Sequence, residues 1–360
     1  MTRSQPAPAR SRRPQARKSR WRVAFFGALS TLTGLAAAIP GAVATAGVAA
    51  ASVPAPPSGW STVWSDDFNG SAGSGLDTSN WLYDTGTGYP GGAANWGTGE
   101  VETMTNSTAN VYQDGAGHLA IKPIRDGNGN WTSGRVETQR TDFGAPAGGI
   151  ERIEARIQQP NVNTANGAGY WPAFWALGAA ARPAAATNWP SIGELDVMED
   201  INGRSSEFAT LHCGTDPGGP CNETTGIGSG ERACSGCQTG FHTYAVEIDR
   251  SVSPEQLRYY LDGANFFTIN ANQVDPTTWS NAVDHGFFVI LNVAMGGGFP
   301  AAFGGGPNGS TVSGQPMLVD YVAVYQKAAS GGGGGDGGGG GGGGGVSATS
   351  TIQAESYSAQ

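Results

Sequence analysis

Gly193-Glu194-Leu195-Asp196-Val197-Met198-Glu199 places three carboxylates within six residues, inside a run that otherwise has the character of a β-strand. Strand side chains alternate between faces, so Glu194 and Asp196 share one face and Leu195 and Val197 the other. A strictly regular strand puts Met198 on the acidic face and Glu199 behind it. One extra residue, a β-bulge around Val197-Met198, returns Glu199 to the side of Glu194 and Asp196. The stretch therefore predicts a bulged strand in a β-protein, with its acids on one face.

Scattered acids on a solvated strand are the plain alternative. Acids are depleted in strands, and three on one face repel one another, so a chain that keeps them gains chemistry or a cation by doing so. Two close carboxylates cannot both ionise freely. One holds its proton while the other stays charged, the division of labour that an acid and a nucleophile need. The span from Glu194 to Glu199 is compatible with the ~5–5.5 Å carboxyl separation of retaining glycoside hydrolysis. Asp196 between them tunes the pair.

The flanking sequence carries a resemblance. Trp171-Pro172-Ala173-Phe174-Trp175-Ala176-Leu177-Gly178, Trp189-Pro190, the acidic stretch and Thr210-Leu211-His212 follow in the order seen in glycoside hydrolase family 16. Within that family the chain resembles the bulged E-x-D-x-x-E branch of bacterial endo-1,3-β-glucanases. Trp64-Ser65-Asp66-Asp67-Phe68-Asn69-Gly70 and Val319-Asp320-Tyr321-Val322-Ala323-Val324-Tyr325 extend the likeness over residues 60–327. It implies an all-β jelly-roll β-sandwich of two curved antiparallel sheets with a concave substrate cleft. It also implies Glu194 as nucleophile, Glu199 as acid/base and Asp196 as the assisting residue.

The first 22 residues hold eight Lys/Arg and no acid, and an apolar Ala- and Gly-rich run follows from Val23 to Ala51. That is the pattern of a long signal peptide, residues 1–51, rather than a membrane anchor. Arg12-Arg13 leaves the export route open. Removing this segment leaves 12 basic residues against 29 acidic ones, a net charge of −17. Such a surface disfavours nucleic acid and anionic polymers. It suits a secreted, extracellular enzyme that acts on a neutral polymer, has no membrane association after cleavage and works as a monomer.

All four cysteines lie between Cys213 and Cys237, which in an exported protein predicts two disulfides. Three pairings are open, with Cys213–Cys221 and Cys234–Cys237 favoured. A zinc site using Cys234-Ser235-Gly236-Cys237 and His212 is the sharper alternative; irregular spacing and an oxidising compartment weigh against it.

Residues 52–59 form a Pro-rich lead-in, and residues 60–328 one all-β domain of short alternating segments punctuated by Gly, Asn and Asp. Ile150–Ile157, Phe241–Ile248, His285–Val293 and Met317–Tyr325 are expected strands; helical turns are expected at Pro254–Leu257 and Pro276–Asn281. Residues 329–346 are a Gly-rich linker. Residues 347–360, with Ile352-Gln353-Ala354-Glu355-Ser356-Tyr357, resemble the opening strand of a family 6 carbohydrate-binding module, too short to fold alone.

Most tryptophans of a β-sandwich belong to its core. Trp171, Trp175 and Trp189, just upstream of the acids, are expected instead to stack on the apolar faces of sugar rings. The resemblance places His212 in the cleft as a substrate hydrogen-bonding residue, and Arg135 as a donor to sugar hydroxyls; His242 is expected to be structural. Trp96-Gly97-Thr98-Gly99-Glu100-Val101-Glu102 departs from the W-G-N-N-E-x-Q often found in relatives, so the asparagine contact to sugar is not carried over. The resemblance also implies a structural calcium near Asp67, Gly117 and Asp320, with hard oxygen ligands suited to that ion. No cofactor is required for catalysis. The expectation is a secreted retaining endo-hydrolase of internal 1,3-β-glucosidic bonds in laminarin- and curdlan-type glucans. The rivals are a mixed-linkage glucanase or agarase of the same family, and a non-catalytic β-glucan-binding protein.

Overall fold

A computed structural model describes residues 52–329. The expected signal peptide, nearly all of the Gly-rich linker and the start of a binding module lie outside the described residues. Among those described, two antiparallel eight-stranded sheets pack face to face with a third sheet of three short strands beside them. This is the jelly-roll β-sandwich expected from the sequence.

The first sheet runs Ala264–Asn270, Gln256–Leu261, His242–Asp249, Ile150–Gln158, Met317–Lys327, Leu119–Ile121 and Val111–Gln113; Ser61–Asp66 also pairs with Met317–Lys327. The second runs Ile227–Gly228, Ser206–His212, Glu194–Glu199, Tyr170–Gly178, Phe287–Met295, Arg135–Thr138 and Trp81–Asp84, and Arg232–Ala233 pairs with Ser206–His212. Ile153, Ala155 and Ile157 point from the first sheet into the common core, and Phe174, Ala176, Leu195, Val197, Leu211, Val289 and Leu291 from the second. Fully burying side chains of this size stabilises by ~1.5–3 kcal/mol each. The other face of the second sheet is the one that carries chemistry.

The expected helix at Pro276–Asn281 forms over Pro276–Val283, with Asp275 capping it through Thr277 and Thr278. No helix forms at Pro254–Leu257. Leu257, Tyr259 and Leu261 are buried at alternate positions, and that period of two carries the segment into the strand Gln256–Leu261. The four cysteines pair as Cys213–Cys221 and Cys234–Cys237. His242, the histidine near the second pair, bonds Asp262 at 2.7 Å, and His212 has other partners. No helix of the described residues is long and apolar enough to cross a membrane.

Candidate active site

The central strands of the second sheet fix the positions of the acids. Against the strand Ser206–His212, Glu194 lies opposite His212, Asp196 opposite Thr210 and Glu199 opposite Phe208. The step from Asp196 to Glu199 takes three residues while its partner takes two. That is the β-bulge, and because 212, 210 and 208 share a face, so do the three acids. Pairing with Tyr170–Gly178 agrees: Leu177, Trp175 and Ala173 oppose Glu194, Asp196 and Glu199. Val197 and Met198 both turn into the core, fully buried.

Gly193 makes the entry into this strand. Its φ is +75°, and a Cβ there would lie 1.9 Å from the carbonyl oxygen of Ala282. Only glycine fits.

Trp171 shares the open face with Trp175, and its indole N–H donates to Glu199 Oε1 at 2.8 Å. The Trp175 N–H donates to Asn292 Oδ1 at 2.7 Å. Trp189 is partly buried on the apolar patch of Leu177, Phe288 and Ile290, with its ring 5.5 Å from that of His212. All three tryptophans thus border the acids and remain partly accessible.

His212 Nε2 lies 3.3 Å from Asp196 Oδ2 and 4.0 Å from Glu194 Oε1. Its Nδ1 lies 2.6 Å from Glu223 Oε2. With both ring nitrogens directed at carboxylates, His212 has no free edge for a sugar hydroxyl; it orders the acids instead. Burial disfavours its charged form, but hydrogen bonds to Asp196 and Glu223 and the charges of Asp196 and Glu194 outweigh that and raise its pKa well above 6.5.

Burial, and then repulsion from Asp196, push Glu194 up to about 8, with the His212 charge acting in the opposite direction. The same two causes raise Glu199 well above the ordinary glutamate range. Crowding three acids into a buried site thus disfavours ionising all of them together.

Arg135 is differently placed from the expectation of a sugar donor. It is 4% exposed. It bonds Asp84 Oδ2 through Nε and the Tyr89 hydroxyl through Nη2, each at 2.9 Å. Its guanidinium lies 4.4 Å from the Trp96 ring centre and 4.7 Å from that of Trp175. The arginine is a cationic pad beneath the aromatic floor, where cation–π attraction fixes the rings. Thr98, in the segment that departs from the family pattern, donates to Glu100 Oε1 at 2.7 Å.

Several residues at the site carried no clear sequence signal. Phe299 packs edge-on to Trp171 at 5.8 Å and to Phe208 at 5.0 Å. Asn292, Tyr89 and Trp96 complete the floor. Glu223 is fully buried beneath His212. Of these, Trp96 lies in the Trp96–Glu102 segment and Asn292 in the expected strand His285–Val293.

The expected calcium ligands belong to the first sheet: Asp67 follows Asp66, which opposes Val322, Gly117 precedes Leu119, which opposes Val319, and Asp320 sits in the register shift between Val319 and Tyr321. Asp320 is 1% exposed; one carboxylate oxygen pairs with Arg156 and the other, Oδ1, is buried with no hydrogen-bond partner. An orphaned buried carboxylate oxygen is a hard donor of the kind that suits calcium.

Residues 161–243 match a family model described as the XgeA-like, catalytic GH16 domain. An endo-1,3-β-glucanase structure from Streptomyces sioyaensis is 64% identical, with a TM-score of 0.75, covering 76% of this chain and 99% of that one. The endo-β-1,3-glucanase structure from Pyrococcus furiosus is 30% identical with a TM-score of 0.59, covering 75% and 95% respectively. Glucan endo-1,3-beta-glucosidase A1 of Niallia circulans is 33% identical over 75% of this chain, which spans only 38% of that longer protein. On these likenesses the chain belongs to glycoside hydrolase family 16, with endo-1,3-β-glucanases as its homologues.

Proposed function

We propose that the protein is a secreted, retaining endo-1,3-β-glucanase. The observation that carries this reading is the placement of Glu194, Asp196 and Glu199 on one open face by a bulge that leaves both neighbours, Val197 and Met198, in the core. Glu194 attacks the anomeric carbon; the bond from C1 to its carboxylate forms as the glycosidic C–O bond breaks. Glu199 gives its proton to the departing oxygen. Water then attacks C1, Glu199 takes a proton from it, and the ester to Glu194 breaks with net retention. Asp196 lies between the two glutamates and couples them to the His212 imidazolium. Trp171, Trp175 and Trp189 are platforms for sugar rings, and Arg135 holds the floor from beneath.

The likeness to 1,3-glucanases supports laminarin-type chains as substrate, and the bulged spacing separates this protein from the unbulged E-x-D-x-E of mixed-linkage specialists. The mature charge of −17 disfavours sulfated galactans. Calcium is a proposal of the same kind. Asp67, Asp320 and the Gly117 carbonyl would hold it on the first sheet, where it would supply structural cross-linking and take no part in the reaction.

Two measurements test the reading together. Reducing ends should be released from laminarin faster than from lichenan or agarose, as short oligosaccharides from the start. With an activated aryl glucoside and azide, Glu194→Ala should yield the product of inverted configuration and Glu199→Ala the retained one. The opposite products would reverse the two roles, and preference for agarose would overturn the substrate.

A further inference from the structure

Glu223 belongs to no strand and to no motif of the acidic stretch, yet its carboxylate reaches the site through a single side chain. One oxygen lies 2.6 Å from His212 Nδ1 and the other accepts the Cys213 N–H at 2.8 Å. The side chain is fully buried. Its backbone is held as firmly: Glu223 and Gly218 exchange both N–H···O=C bonds as an isolated bridge. The Cys213–Cys221 disulfide ties this loop to the end of the histidine's own strand.

Beyond the ring, His212 Nε2 faces Asp196 and Glu194. Trp189 packs against the ring itself, and Gly226 lies close by, where an added Cβ would stand 3.0 Å from Nδ1. The charged groups facing His212 are thus Glu194 and Asp196 from the neighbouring strand and Glu223 from the disulfide-closed loop. A neutral imidazole in this pocket could serve one carboxylate as donor but would present a lone pair to another. Only the doubly protonated ring serves both sides.

We infer that Glu223 is a positioning residue for the glycosidase reaction: from the disulfide-closed loop it fixes the His212 ring in one orientation and in its doubly protonated form, so that Nε2–H is always presented to Asp196 and Glu194. The inference rests on the proposed roles of those two acids. The raised pKa of His212, to which the hydrogen bond it donates to Glu223 contributes, agrees with it. A charged, hydrogen-bonded chain of this kind in a buried site is stronger than its separate bonds. Substrate does not touch Glu223, so its loss should act on turnover and not on binding.

The test is Glu223→Gln, nearly the same shape without the charge, compared with Glu223→Asp, which keeps the charge on a shorter arm. His212 ring nitrogens are followed by NMR against pH in each folded protein, and laminarin hydrolysis is measured alongside. In the wild type His212 should titrate well above the ordinary histidine range. In Glu223→Gln its pKa should fall by at least about one unit, and kcat by roughly tenfold with KM within about twofold. Glu223→Asp should recover part of both. An unchanged His212 titration in Glu223→Gln, or a wild-type kcat, would overturn the inference. Because the titration needs no substrate, it decides the matter even if laminarin proves not to be hydrolysed, an outcome that would count against the proposed activity instead.

Discussion

Glutamates stand at the ends of the acidic triplet and an aspartate in its middle, and side-chain length explains that order. Glu194 and Glu199 oppose residues four apart on the partner strand, roughly 13 Å along the backbone. Two long side chains leaning inward over a shorter central one can bring the outer carboxyls to a working distance. Three longer side chains would crowd the centre. Burial, and then this closeness, raise both glutamates, so the pH profile should lie above that of ordinary carboxylates. Activity rises as Glu194 ionises and falls as Glu199 loses its proton. Both are displaced upward from 4.5, so the optimum should be near neutral or alkaline. The His212 charge lowers both glutamates, and its removal raises them. His212→Asn should therefore move both limbs of the kcat/KM profile to higher pH. A profile left unmoved would show that His212 carries no charge in the working enzyme.

At the scale of the element, the bulged strand was legible from residues alone. Period-two alternation has one fault in this stretch, and one inserted residue repairs it. The strand over Ile150–Gln158 was legible for the same reason, with Ile153, Ala155 and Ile157 facing the core. Pro254–Leu257 misled because Ser-Pro resembles a helix start, whereas the decisive alternation lies downstream at Leu257, Tyr259 and Leu261. Glu223 was not legible at all. A loop residue whose side chain reaches into a neighbouring strand's partner leaves no period to read. Arg135 was found as a site residue, but its depth was not, because depth depends on Asp84 and Tyr89 arriving from elsewhere in the chain. That burial gives a prediction. Arg135→Met leaves the Asp84 carboxylate buried without its partner and should destabilise by about 3–5 kcal/mol in denaturant unfolding. A change below about 1 kcal/mol would mean that Asp84 is served by another cation, Arg182 being the other one acting on it.

For the whole molecule, the two sheets divide the labour. The second sheet carries the acids, the tryptophans and the aromatic floor on its open face. The first carries Asp320 with its orphaned carboxylate oxygen, and the core lies between the two sheets. Calcium there should change stability more than turnover. If it is bound at 100 times its dissociation constant, its removal costs about 2.7 kcal/mol. For a domain of this size that corresponds to a fall in Tm of roughly 5–10 °C. Calorimetry with EGTA and with calcium restored measures it; an unchanged Tm together with no calcium by elemental analysis would remove the ion from the account. Short motifs carry the family likeness, while the layered packing that sets the acids on one sheet and Asp320 on the other emerges only from strand order.

The central claim is that Glu194 forms a covalent bond to a glucosyl unit of a 1,3-linked chain. It is tested most directly by trapping that bond with a 2-deoxy-2-fluoro laminaribiosyl fluoride, followed by proteolysis and mass spectrometry. The fluorine slows hydrolysis of the intermediate more than its formation, so a retaining enzyme accumulates it. The account predicts one added disaccharide per chain, on Glu194, with none on Glu194→Gln. Label on Asp196 or Glu199, or no label while laminarin is still hydrolysed, would contradict it.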